Sequence, residues 1–151
     1  MPTITPSITP SIWFDHDLEQ AIEFYGSIFG DAKVTGEQRM PDGSLLGASF
    51  ELLGQRIQGL NGGPGHPHTD AFSLVVAVQG QDEVDQYWEA LLAGGGHPTA
   101  CGWLEDRFGV AWQVIPDELI TCLSDPDPEK AQYAMQAMLK QQKIVISELT
   151  A

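Results

Sequence analysis

The strongest constraint on this chain is an internal repeat. Leu18, Ala21, Ile22, Tyr25, Ile28 and Phe29 recur at helical spacing and define one apolar helix face. Val84, Tyr87, Trp88, Leu91 and Leu92 define a second. The two superpose at a displacement of 63 residues, with Ala21 on Val84, Tyr25 on Trp88 and Phe29 on Leu92. The same displacement lays strand-like Ser11–Phe14 on Leu74–Ala77. A helix-to-helix match can arise by chance from apolar spacing. A strand ahead of each helix at one displacement makes a duplicated strand–helix unit the better reading. Asp17 can cap the first helix, with Gln20 as capping-box partner, and Gly30 ends it. The second helix is expected to open at Asp82 and to stop at Gly94-Gly95-Gly96.

After each helix the chain reads as short strands and tight turns. Val34–Met40 and Leu45–Leu52 flank the hairpin signal Pro41-Asp42-Gly43, and Gly54 turns into Arg56–Leu60. In the second half, a strand through Cys101-Gly102-Trp103-Leu104 meets Val110–Ile115 across Asp106–Gly109. Each half is therefore βαβββ. The expectation is a single α+β domain over residues 1–151. A first module spans 1–60, a linker 61–69, a second module 70–116 and a helical tail 117–151. In the tail, Asp127 is the N-cap and Pro128 the first helical residue. Ala131, Ala134, Met135, Met138 and Leu139 form a packing stripe, and Lys140 and Lys143 suit the helix end.

The formal net charge of −14 disfavours nucleic acid and anionic membrane surfaces as partners. No apolar run approaches the ~20 residues of a membrane span. The N-terminal residues lack a basic region and an apolar core of the secretory type, so a cytoplasmic location is expected. Cys101 and Cys122 have no CxxC spacing and read as free thiols.

The chain resembles the PhnB-like branch of the vicinal oxygen chelate (glyoxalase/bleomycin-resistance/dioxygenase) superfamily. The resemblance opens with Ile8-Thr9-Pro10, Trp13-Phe14, Ala21–Tyr25 and Ile28-Phe29-Gly30. It continues through Asn61-Gly62-Gly63-Pro64, Glu83-Val84-Asp85 with Trp88, Cys101-Gly102-Trp103, and Phe108-Gly109 with Trp112-Gln113-Val114. Asp125–Lys130, Ala137-Met138 and Lys143-Ile144 carry it to the tail. It implies paired βαβββ modules forming a cup-shaped mixed sheet, usually in a homodimer. The branch often bears the label 3-demethylubiquinone-9 3-methyltransferase. The sequence offers that activity no support, for no glycine-rich loop joins a strand to a helix to cradle a nucleoside cofactor.

Metal-dependent members hold one divalent ion in the cup, on His and Glu from the first and last strands of each module. Here the first ligand would fall near Thr9, Pro10 or Ser11, and none of these is a ligand type. The two closing carboxylates would fall near Gln58 and at Gln113, both neutral amides. The remaining ligand would fall within Thr69–Phe72, where Asp70 lies, with His66 and His68 just upstream. These three are the only metal candidates, and a catalytic site typically takes about three protein ligands plus an open position. No metal or other cofactor is therefore expected.

Gln58 and Gln113 either hydrogen-bond backbone at a sheet edge or face the cup from equivalent positions. Trp13, Trp103, Trp112 and Phe72 lie on strands near the same mouth. Alternation puts Trp112 opposite in face to Gln113, beneath a helix or in a dimer interface, if Gln113 faces the cup. It puts Cys101 and Trp103 on one face, read as pocket. Cys101 is a nucleophile only if a base or cation such as His68 or Arg107 activates it; otherwise it is an inert thiol. His16 and His97 read as exposed loop residues. The candidate pocket is thus Gln58, Gln113, Trp103, Cys101, Trp13, Phe72 and His68. The leading expectation is metal-free binding of a small molecule. The alternatives are a divalent-metal isomerase, lyase or dioxygenase, and a dimeric interaction module with a vestigial pocket.

Overall fold

The computed structural model describes residues 4–151. They group into two compact units, one ending at Pro67 and the other running from His68 to Ala151. The first contains β1 (Ser11–Phe14), α1 (Leu18–Phe29), β2 (Ala32–Arg39), β3 (Leu45–Leu52) and β4 (Gln55–Asn61). Its sheet runs β1-β4-β3-β2, with β1 and β4 parallel and the other pairs antiparallel. The second contains β5 (Ser73–Val78), α2 (Gly80–Leu92), β6 (His97–Pro98), β7 (Trp103–Glu105) and β8 (Ala111–Pro116). Its sheet repeats the order as β5-β8-β7-β6, with β5 and β8 parallel. Two βαβββ modules, one per unit, are the architecture expected from the repeat.

In each unit the helix covers one face of its sheet. Leu18, Ala21 and Tyr25 of α1 are fully buried, as are Val84 and Leu91 of α2. The helices keep the displacement of 63, since buried Ala21 and Tyr25 match buried Val84 and Trp88. The strands do not. Ile12 and Phe14 are buried on β1, whereas Val76 and Val78 are buried on β5, a displacement of 64. Laying Ser11–Phe14 on Leu74–Ala77 would match Ile12, 3% exposed, to Val75, 59% exposed. A one-residue slip moves every side chain to the other face, so the strand alignment is corrected by one. The missing residue comes out of the strand–helix connection. Asp15-His16-Asp17 joins β1 to α1, but Gln79 alone joins β5 to α2. Accordingly α2 starts at Gly80 and not at Asp82.

Both helix N-termini are capped from a distance. Asp17 makes no side-chain cap bond; Asn61 Oδ1 accepts from Leu18 N at 3.0 Å, and Asn61 Nδ2 donates to Leu45 O at 3.0 Å. Asn61 is the last residue of β4 rather than the first of the linker. In the second unit Glu118 accepts from Gly80 N at 3.0 Å.

The tail belongs to the second unit. It forms α3 (Asp117–Leu123), which its sequence did not announce, and α4 (Pro128–Leu139), with Asp127 capping Glu129 N as expected. A short 3-10 turn follows at Ile146–Glu148. Leu119, Ile144 and Leu149 form a small core against Ile115 and Met138. Lys140 is the C-cap of α4, while Lys143 leaves the helix altogether and pairs with Asp85 at 2.8 Å. Gln81 fastens the same segment, donating to Ile144 O at 2.9 Å and accepting from Ile146 N at 2.8 Å. Among the described residues no helix is long and apolar enough to cross a membrane.

Candidate functional site

The helix-free face of each sheet is where a ligand could meet side chains not spent on the core. On the first sheet this face carries Ser11 and Trp13 of β1, and Gln58 and Leu60 of β4. Gln58 lies between Ser11 and Ser49 in the strand register, and its side chain is exposed. Trp13 donates from Nε1 to Gly63 O at 2.9 Å, and its ring lies 4.1 Å from that of His66, tilted by 40°. Gly62 makes this possible. A Cβ there would sit 2.2 Å from the indole, so only glycine lets the chain pass so close.

On the second sheet the same face carries Ser73, Val75, Trp103 and Gln113. Trp103 is directly opposite Gln113 across β7 and β8, and Val75 lies on its other side. Gln113 Nε2 donates to Ser73 Oγ at 2.9 Å. With the strand displacement corrected, the buried pairs Ile12–Gly59 and Val76–Val114 become equivalent. Gln58 and Gln113 then occupy matching places, one residue before the buried member on the closing strand. Neither is in a helix-covered position.

Two expected members of the pocket, Cys101 and Phe72, lie outside the strands in which the sequence places them. Cys101 is not in a strand: β7 begins at Trp103, and Cys101 sits in the preceding turn with φ of 58°. The tail causes this, because Gln141 O accepts from Cys101 N at 2.8 Å and Gln142 O from Gly102 N at 2.7 Å. Cys101 and Trp103 therefore do not share a strand face. Phe72 precedes β5 in a bend and is 58% exposed. Trp112 is buried on the helix side, opposite in face to Gln113 as strand alternation implies, and donates from Nε1 to Asp106 Oδ2 at 2.9 Å. His97 is not a loop residue but part of β6, with Nε2 3.1 Å from Glu105 Oε2. His16 is in a loop as expected, beside Asp15.

The metal test turns on donors. Ser11, Gln58 and Gln113 stand at three of the four ligand positions that the resemblance implies, and none is a carboxylate or imidazole. His66 is exposed and stacked on Trp13, Asp70 is exposed, and His68 is half-buried. Among the described residues, no three His, Cys, Asp or Glu side chains gather in a way that could hold an ion. The side chains present do not fit a metal centre of the kind the resemblance implies.

Two residues of structural weight escaped the sequence reading. Asp106, only 2% exposed, accepts from Phe108 N, Val110 N and Trp112 Nε1, and so organises the whole β7–β8 turn. Its position before a turn glycine was the only available signal. Asn61 opens a glycine-rich linker in the sequence, and nothing local marks it as the cap of a helix 43 residues away. Two surface depressions lie apart from the helix-free faces. One of about 820 Å³ lies between α1 and the β2–β3 hairpin. Another of about 580 Å³ lies beside α4, with Cys122 and Tyr133 in its wall. Neither is lined by Gln58, Gln113, Trp13 or Trp103.

Residues 6–115 match the family described as 3-demethylubiquinone-9 3-methyltransferase. Among solved structures, the chain is similar to a PhnB protein from Bacillus cereus that is named for the same methyltransferase. The two are 27% identical over 74% of this chain and 99% of that one, with a TM-score of 0.65. Protein PA1353 from Pseudomonas aeruginosa is 19% identical over 74% and 98%, with a TM-score of 0.60. The fosfomycin resistance protein FosX from Listeria monocytogenes, solved with Mn(II) and sulfate, is 21% identical over 74% and 92%, with a TM-score of 0.57. The last two likenesses concern the fold. No curated protein matches the chain.

Proposed function

The chain belongs to the 3-demethylubiquinone-9 3-methyltransferase family, a PhnB-like branch of the vicinal oxygen chelate superfamily, and on that premise we propose that it binds a small molecule without a catalytic metal. The ligand is partly aromatic and carries polar groups. It lies against the helix-free face of one sheet, with Trp13 and Gln58 on the first or Trp103 and Gln113 on the second, where an indole offers apolar surface and an amide offers donors and acceptors. The observation that carries this reading is the pair of amides in equivalent places where metal-dependent relatives are expected to have carboxylates. An amide keeps hydrogen-bonding capacity and gives up most affinity for a divalent ion.

Methyl transfer is not part of the proposal. The two strand–helix connections are Asp15-His16-Asp17 and Gln79, and neither is a glycine-rich loop for a nucleoside cofactor. The expected setting is a cytoplasmic homodimer, which sedimentation of the purified chain checks.

Elemental analysis of untagged protein, back-loaded with nickel, zinc, manganese and ferrous iron and then dialysed, tests the metal half. The expected result is far less than one ion per chain. One tightly held ion would overturn it and turn attention to His66, His68 and Asp70. A ligand-observed screen of polar aromatic compounds tests the other half. Hits weakened by Gln58→Ala or by Gln113→Ala support the reading; hits indifferent to both, or none at all, sink it.

A further inference from the structure

The depression of about 820 Å³ in the first unit lies on a different part of the surface from the proposed ligand face, and its size is that of a pocket for a drug-sized molecule. One wall is the β1–α1 loop and the outer side of α1, with Asp15, Glu19 and Glu23. The other is the hairpin, with Met40 and Leu46. Its floor is held by Asn61, whose amide ties Leu18 N to Leu45 O. Helix, hairpin and strand end are thus joined at one side chain, so the groove is present without rearrangement.

The two walls differ in chemistry. Met40 and Leu46 are large apolar side chains that are 46% and 38% exposed. They offer a surface for an apolar body. The facing wall carries three carboxylates. The nearby guanidinium of Arg39 is engaged elsewhere, with Nε and Nη2 each 3.1 Å from Glu37 Oε2 and Nη1 on Gly43 O; it reaches Glu19 only at 3.7 Å. His16 lies 3.3 Å from Asp15. Glu23 has no ion-pair partner among the described residues.

From the apolar wall facing an under-neutralised acidic one, we infer that this groove is a second binding site, for a small organic cation with an apolar body. Its body lies on Met40 and Leu46 and its ammonium faces Glu19 and Glu23. Neutral molecules of the same shape lose the acidic wall, and inorganic cations lose the apolar one.

Amide-resolved NMR titration of the full chain with 4-phenylbutylamine and with 4-phenylbutanol tests this. The amine is expected to give saturable shifts confined to residues 15–23, 40–46 and 61–63. The alcohol should bind about tenfold more weakly, as two exposed charge pairs at up to ~1 kcal/mol each allow. The Glu19→Gln/Glu23→Gln double variant should abolish that preference while leaving the residual binding of the alcohol unchanged. Met40→Ser/Leu46→Ser should weaken both probes and keep the preference. All these positions are exposed, so the variants are expected to fold, and their undisturbed spectra elsewhere verify it. Equal binding of amine and alcohol, or linear shifts scattered over the acidic surface, would overturn the inference. A saturable amine site mapping to Gln58 or Gln113 instead would overturn it too, while leaving the sheet-face reading intact.

Discussion

The two modules differ most where they do not touch their helices. The helix-facing halves are near copies: buried Ala21 and Tyr25 answer buried Val84 and Trp88, and Ile12 and Phe14 answer Val76 and Val78. The outer strands diverge. β2 and β3 are eight residues each, while β6 and β7 shrink to two and three. The first module caps its helix from its own last strand, through Asn61, and the second borrows Glu118 from the tail. The helix-free faces diverge too. Gln58 is exposed beside an indole pinned by the linker, whereas Gln113 is engaged by Ser73 and faces Trp103. Duplication has preserved what packing demands and released what packing does not use. Function is to be sought in the released part.

The largest expected effect separates the two hairpin aspartates. Asp106 is buried and satisfies three donors, whereas Asp42 is exposed and accepts only from Ser44. Asp106→Ala strands the two backbone N–H groups and the Trp112 indole in a dry site and should cost about 3–5 kcal/mol. Asp42→Ala should leave the urea midpoint within error. Equal losses would mean that burial is not what divides these turns.

A second comparison concerns the caps. Asn61→Ala frees both Leu18 N and Leu45 O and should cost about 1–2 kcal/mol. Glu118→Ala frees only Gly80 N and should cost about 0.5–1 kcal/mol. Hydrogen exchange should locate each loss, at the first turn of α1 and of α2. If Glu118→Ala costs more, the tail is more integral to the second module than its single cap bond indicates.

These caps also mark where the sequence stops being legible. Apolar period identified both helices, and the hairpin at Pro41-Asp42-Gly43 was readable because turn chemistry is local. The strand slip was not. Ser73–Val78 is nearly all apolar, so 63 and 64 place equally good residues against Ser11–Phe14, and only burial tells the faces apart. Gln58 and Gln113 were legible as equivalents, because their flanking strands keep the same parity. Cys101 was misread for a nonlocal reason: carbonyls some 40 residues on pull it into a turn. Asn61 and Glu118 are the same kind of failure, since a cap supplied through space leaves no trace beside the helix it caps.

A smaller effect sharpens the contrast between the helix-free faces. A polar aromatic ligand seated on the first sheet should bind about fivefold more weakly to Gln58→Ala, and one seated on the second sheet to Gln113→Ala, the worth of one hydrogen bond of ~1 kcal/mol. Gln113→Ala should also lower stability slightly, because it releases Ser73 Oγ; Gln58→Ala should not. If only Gln113→Ala changes affinity, the ligand belongs to the second sheet alone, and the equivalence of the two amides is an inheritance without use.

The smallest expected effect is one of pH, and it arises where the second module meets the tail. Asp85 is held below its ordinary carboxylate value, first by its hydrogen bond from Lys143 and then by that from Gln81. A depressed folded-state pKa means that the unfolded chain takes up the proton first. The contribution is therefore full above the unfolded value of about 3.8 and is lost as pH falls through the lower folded value. The pair is only half-buried, so the contribution is small and screened by salt. Comparing wild type with Asp85→Asn by urea unfolding should give a slight wild-type advantage at pH 7. That advantage should shrink as pH falls below about 4 and vanish in high salt. Because Asp85 and Gln81 sit on α2 while Lys143 sits in the tail, the same substitution should speed hydrogen exchange at Ile144 and Ile146 selectively. A pH effect without that local loosening would place the charge on α2 alone and leave Gln81 as the tie that holds the tail to the second module.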